Sequence, residues 1–275
     1  MKQRFFYWLC ILSVFILSFQ KSFSQKDSGW YASFDSVKIY YEAKGNGFPV
    51  VLVHGFIVNG DSWKKTALYN DLVREGYRVI TMDLRGNGRS GKPHIDTAYA
   101  KDAEAKDIMG LLTYLKIPKY DVIGYSRGSI IVSRLLVLDK RVNKAVMGGM
   151  GTDFTDPEWP RRKMFYRALM GDTVKQLEDM VNYVKTSGLD QLALAYQQKY
   201  QPSTSVEELS ILPNKILVIC GDHDEDNGSA TRLAFLIPKA YYIQVPGTHN
   251  TASQSKDFSA KIIYFLQHDT VGPTP

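Results

Sequence analysis

The chain has 275 residues and is 44% hydrophobic, which suits one large core in a single α/β domain with at most an insertion. Its formal charge of +6 shrinks once Lys2, Arg4 and Lys21 are set aside as part of an N-terminal leader, leaving 31 of the 34 basic residues against 28 acidic ones. That balance carries no aromatic-interleaved basic stripe and excludes a nucleic-acid partner, and the one dense basic triplet, Arg161-Arg162-Lys163, reads as a solvated helix face.

At the N-terminus, Lys2 and Arg4 precede an uncharged run over residues 5–19, and Ser22-Phe23-Ser24 offers small residues for a cut before Gln25. This is the layout of a signal peptide over residues 1–24, and it predicts an exported protein, secreted or periplasmic. An uncleaved membrane tether is the alternative, although the run is shorter than the roughly 20 residues a spanning helix needs. Removal of the leader leaves no segment for stable membrane insertion. It also removes Cys10, so Cys220 remains alone, no internal disulfide can form, and its place at the end of an apolar run predicts a buried strand residue.

Strands are predicted at residues 37–41, 50–53, 78–82, 120–123, 143–147, 216–220 and 241–245, several as uninterrupted apolar runs suited to burial on both faces. Amphipathic helices alternate with them at residues 62–75, 99–116, 129–139, 229–237 and 251–268. The alternation predicts an α/β fold with a mostly parallel sheet. Residues 153–212 break it, with no convincing strand and helical patterns at 159–170, 173–185 and 189–200, so they are predicted to form an inserted helical cap. The core then comprises residues 25–152 and 213–275. Phe154, Trp159, Phe165 and Tyr166 in the cap are expected to pack rather than to line a pocket.

Gly124-Tyr125-Ser126-Arg127-Gly128 lies where the strand at 120–123 meets the helix that follows, a turn on which Ser126 would stand clear of the sheet as a nucleophile. A serine alcohol needs a base to take its proton and an acid to orient that base. His249 follows the last predicted strand and supplies the base. The acid is one of Asp222, Asp224 and Asp226 on the loop after the strand at 216–220, with Asp153 as an outlying alternative. Asp222, beside Gly221, also suits a turn-stabilising role. His223 has no matched partners elsewhere that would make a metal site, and His94 and His268 lie in solvated contexts. Gly86-Asn87-Gly88 lacks the full nucleotide-loop pattern and reads as a structural turn. Asn227-Gly228-Ser229 is a glycosylation sequon.

Taken together, His54-Gly55-Phe56 with Trp63, the run Asp83-Leu84-Arg85-Gly86-Asn87-Gly88-Arg89-Ser90, the turn at Ser126, and the acid and histidine loops resemble the α/β-hydrolase superfamily over nearly all of residues 30–268. The resemblance implies a serine-nucleophile branch, esterase-, lipase- or perhydrolase-like. It selects Asp224 as the acid, by spacing from the strand-ending glycine, and the backbone amides of Phe56 and Arg127 as the oxyanion hole. It implies ester cleavage, or amide cleavage, of a small-molecule acyl substrate through an acyl-enzyme, with no metal and no organic cofactor. Perhydrolase, C–C hydrolase and aminopeptidase variants retain the same triad, and a non-catalytic ligand-binding module is the alternative from another class.

Overall fold

A computed structural model describes residues 26–272. The expected leader and its cleavage site lie outside the described residues. Eight strands form one sheet: β1 (Lys26–Ala32), β2 (Lys38–Lys44), β3 (Pro49–Val53), β4 (Arg78–Met82), β5 (Tyr120–Tyr125), β6 (Val142–Gly148), β7 (Lys215–His223) and β8 (Ala240–Thr248). Their order is β1-β2-β4-β3-β5-β6-β7-β8. β2 pairs antiparallel with both β1 and β4, and every other pairing is parallel.

Alternation along the central strands builds two cores. Val51, Val53, Val122, Met147 and Val218 face one side, where α2 (Ala103–Tyr114), α3 (Arg127–Leu138) and α8 (Ala230–Leu236) contribute Ile108, Ile131, Leu135 and Leu233. Val50, Leu52, Ile123, Val146 and Leu217 face the other, against Leu68 and Leu72 of α1 (Ala67–Arg74) and Phe258, Ile262 and Phe265 of α9 (Lys256–His268). With both faces covered, period-2 polarity disappears and the strands read as continuous apolar runs.

The sequence expectations miss β1. Its residues, KDSGWYA, contain no apolar run, and the strand exists because an edge position lets it pair residue for residue with β2 from Lys26↔Lys44 to Ala32↔Lys38. The expected helix at 62–75 is interrupted at Thr66, which is extended and caps α1 by accepting from the Tyr69 amide at 3.4 Å.

Between β6 and β7 the chain forms no strand, only α4 (Pro160–Met170), α5 (Glu178–Thr186), α6 (Gln191–Lys199), α7 (Val206–Ser210) and short 3₁₀ turns. Leu169, Val184, Leu194 and Ala195 make a small core of their own that also holds Phe56 and Ile57, so these helices pack directly on the loop after β3. No helix among the described residues is long and apolar enough to cross a membrane.

The chain runs from β3 to β4 on one side and then crosses to β5 on the other. Such a reversal of strand order opens a crevice at the carboxyl ends of the two neighbours. The loops after β3 and β5 border that crevice, and they carry His54-Gly55-Phe56 and Ser126.

Candidate active site

Ser126 joins β5 to α3 with φ +53 and ψ −126, a conformation that side-chain-bearing residues rarely adopt. Packing holds it there. The Ser126 amide donates to the Gly148 carbonyl at 2.8 Å, and α3 begins immediately after the turn. A Cβ on Gly124 would stand 2.5 Å from the Gly128 backbone, and one on Gly128 would stand 2.2 Å from the Val53 carbonyl oxygen. Both glycines are therefore needed for strand and helix to approach closely enough to make the turn.

His249 follows β8, and its Nε2 lies 2.9 Å from Ser126 Oγ. Its Nδ1 lies 3.0 and 3.1 Å from the two carboxylate oxygens of Asp224, whose side chain is 2% exposed. A carboxylate can only accept, so Nδ1 carries the proton and Nε2 accepts from the serine hydroxyl. The structure thus brings Ser126, His249 and Asp224 into one hydrogen-bonded chain.

The competing carboxylates stand elsewhere. Asp222 accepts from the Gly247 amide at 2.8 Å and from His223 at 2.7 Å, joining the carboxyl ends of β7 and β8, and these bonds hold its carboxyl below the usual range, the Gly247 amide foremost. Asp153 packs against Gly228 and has no hydrogen bond to His249. Asp226 is exposed and lines the cavity. Asp224, Asp226 and His249 bring one possible metal ligand each within 4.8 Å of one another. Both imidazole nitrogens are already engaged, however, and neither is free to coordinate.

Phe56 and Arg127 border the cavity at Ser126, and neither amide donates to another described residue. The loop holding Phe56 is braced from behind. Leu84 donates its amide to His54 Nε2 at 3.0 Å, while His54 Nδ1 donates to the Gly55 carbonyl at 2.8 Å. Asp83 accepts from the Gly60 amide at 2.9 Å, and the Asn87 side chain donates to the Val58 carbonyl at 2.9 Å. The segment 83–90 therefore acts as a structural turn beneath the loop after β3. Burial pushes His54 below the usual histidine range.

Several residues at the site carried no clear signal in the sequence. Tyr125 donates its hydroxyl to the His249 carbonyl at 2.7 Å. The Arg127 side chain turns away from the cavity, 4% exposed, to pair with Glu104 of α2 and to donate to the Gln197 carbonyl of α6 at 3.2 Å. Gln197 in turn donates to the Arg85 carbonyl at 2.6 Å, tying the inserted helices to the turn at 83–90.

The cavity beside Ser126 encloses about 640 Å³, within the usual range for small-molecule sites. The walls qualify two expectations. Phe154 is buried, and Trp159 packs into the main core while it also lines the cavity, as Phe165 does. Arg161 and Arg162 are half-buried and line the cavity, while Lys163 of the same triplet is exposed as expected. The start of α4 lies over the cavity, and helical periodicity cannot say which polar face a neighbour will cover. Away from the cavity, burial pushes the Cys220 thiol up to about 12, as suits an inert strand residue. The sequon Asn227 is 7% exposed and donates to the Gly149 carbonyl at 3.1 Å, which leaves its amide unsuited to glycosylation.

Residues 49–185 match the family described as alpha/beta hydrolase fold. A Synechocystis sp. protein with a provisional non-heme chloroperoxidase name is 44% identical over 114 residues, 41% of this chain and 40% of that protein. A non-heme haloperoxidase of Rhodococcus erythropolis is 33% identical over 117 residues, 42% of this chain and 41% of that one. The match thus spans about two fifths of these relatives' length. Among solved structures, a bromoperoxidase from Bacillus anthracis superposes with a TM-score of 0.70 at 25% identity, covering 88% of this chain and all of that one, 100%. An esterase from Exiguobacterium antarcticum reaches a TM-score of 0.73 at 20% identity over 88% of this chain and 100% of that one, a likeness of fold alone. The family match, the shared architecture and the crevice at the carboxyl edge of the sheet together identify the chain as a member of the α/β-hydrolase superfamily.

Proposed function

We infer that the protein is a serine hydrolase that cleaves a carboxylic ester of a small molecule through an acyl-enzyme, with amide cleavage as the less favoured variant. The observation that carries this reading is the 2.9 Å contact of Ser126 Oγ with His249 Nε2, backed by Asp224 on Nδ1, at a strained turn opening on a cavity. In the first half-reaction Ser126 Oγ attacks the ester carbonyl as its proton passes to Nε2. The oxyanion is received by the amides of Phe56 and Arg127, each such donor being worth roughly 3 kcal/mol. His249 then returns the proton to the departing alcohol. In the second half-reaction water gives a proton to His249 and attacks the acyl carbon, and Ser126 is regenerated with its proton as the acid leaves. Asp224 keeps the imidazole in the tautomer that both steps need. No step calls on a metal or an organic cofactor.

The haloperoxidase names of the relatives favour a second reading of the same site. Hydrogen peroxide in place of water would release a peracid from the acyl-enzyme, with atoms balanced and the serine restored. Residues 1–24 are proposed to act as a leader that exports the hydrolase, and residues 153–212 as the cap that shapes its cavity. N-terminal sequencing of the exported product tests the former.

A fluorophosphonate probe followed by intact mass measurement tests the nucleophile. Wild type is expected to take up one label, and Ser126→Ala none. Equal labelling of the two proteins would remove the assignment and favour a non-catalytic binding module.

A further inference from the structure

Resting on the ester-hydrolase reading, we propose that the preferred substrate carries, besides its ester, a free carboxylate, and that Arg161 and Arg162 at the start of α4 bind it. Both arginines line the cavity that contains Ser126. Neither forms an ion pair among the described residues, and the neighbouring Glu158 is occupied by Lys163. The Arg161 guanidinium lies 5.1 Å over the Phe165 ring, which meets Phe56 edge-on at 5.8 Å between centroids. Arg161 is thus linked by ring contacts, through Phe165, to the residue whose amide is assigned to the oxyanion hole. Arg162 is held by one bond to the Gln201 carbonyl at 3.2 Å, which leaves its other donors free.

Glu158 feels the charge of Arg162 but bonds to Lys163, so a ligand anion would supply hydrogen-bonded partners that neither guanidinium finds among the described carboxylates. A guanidinium presents a planar fork matched to a carboxylate. Trp159 and Phe165 beside the arginines make this wall less aqueous than open surface, which strengthens the attraction. Asp226 also lines the cavity, near His249, where it disfavours an anionic group beside the proposed base. An ester with one anionic end is therefore oriented, its charge toward α4 and its carbonyl toward Ser126. A dicarboxylic half-ester is the simplest ligand that carries both groups.

Two measurements test this separately from the hydrolase reading. In the first, kcat/KM is compared for p-nitrophenyl hemiglutarate against p-nitrophenyl valerate, and for p-carboxyphenyl acetate against phenyl acetate. Wild type should favour the anionic member of at least one pair, and the Arg161→Gln/Arg162→Gln double variant should lower that preference about 10- to 100-fold, as loss of charge-assisted hydrogen bonds does. In the second, calorimetry on Ser126→Ala compares monomethyl glutarate with dimethyl glutarate, with no turnover required. Tighter binding of the half-ester, lost in the arginine double variant, supports the proposal. Equal binding of the two glutarates, or a preference that the arginine changes leave intact, overturns it while the hydrolase reading stands. Failure of the phosphonate to label Ser126 overturns the hydrolase reading instead.

Discussion

The Tyr125 hydroxyl donates to the backbone carbonyl of His249 at 2.7 Å, so the residue before the elbow serine holds the loop that carries its proposed base. The two rings lie 5.5 Å apart, and Phe258 supports Tyr125 from below at 5.7 Å. Tyr125→Phe keeps the packing and deletes the bond. We expect kcat to fall about 10-fold with KM nearly unchanged, and stability to drop by about 1 kcal/mol in urea unfolding. A KM rise with kcat intact would show that Tyr125 contacts substrate instead of positioning His249.

Ser126, His249 and Asp224 should behave as one unit. Ser126→Ala and His249→Ala are each expected to cost about ten-thousandfold or more in kcat, and the double variant little beyond either single one. Asp224→Asn should lose a similar factor by permitting the wrong imidazole tautomer, while Asp222→Asn stays active. The reverse ranking of the two aspartate variants would move the acid to Asp222.

His54 should make the fold acid-sensitive. Inside the protein Nε2 accepts from Leu84 and the ring is buried, so protonation is resisted and the native value lies below the ordinary 6.5. The unfolded chain takes up that proton as pH falls below its ordinary value, so stability is complete above that point and declines below it. The decline approaches about 1.4 kcal/mol per pH unit while native His54 stays neutral. Urea unfolding between about pH 7 and pH 5 checks this, and His54→Asn should flatten the slope. Parallel slopes for the two proteins would assign the effect to other groups.

The buried Arg127–Glu104 pair should be costly to halve. Glu104→Leu leaves an unpaired cation that is 4% exposed, and a loss of about 3–5 kcal/mol is expected. Adding Arg127→Met should recover most of it, because burying neither charge avoids the desolvation cost. Chemical denaturation of the two variants separates this from a local effect on the site.

Gly128→Ala tests the elbow itself. Its methyl would meet the Val53 carbonyl at 2.2 Å, and that oxygen belongs to a central strand that cannot give way. We expect destabilisation of about 3 kcal/mol or more, seen as a lowered urea midpoint, together with loss of Ser126 labelling. Normal stability and labelling would mean that the turn does not depend on this close approach.

Strands β2 to β8 were legible because each is buried on both faces or one, and burial leaves an apolar run in the sequence. β1 was not, since an edge strand draws its stability from partner hydrogen bonds that composition does not record. The turn at Ser126 was legible through Gly124 and Gly128, whose small size is itself the geometric requirement. Tyr125 and Glu104 left no such mark, because a tyrosine or glutamate beside a motif has many possible partners.

Sequence alone determined the alternating α/β order, the serine turn, the late histidine loop and the strand-free helical stretch between β6 and β7, all of which follow from local periodicity and from chain order. Only the tertiary structure decided which aspartate meets Nδ1 and which residues face the cavity. Asp222, Asp224 and Asp226 differ by a few bonds of loop geometry, and Asp222 is drawn off by the Gly247 amide. Arg161 and Arg162 have the composition of a solvated face, yet the position of α4 over the crevice turns them toward Ser126's cavity. Helical spacing specifies which residues share a face, and the packing of distant segments specifies what that face meets.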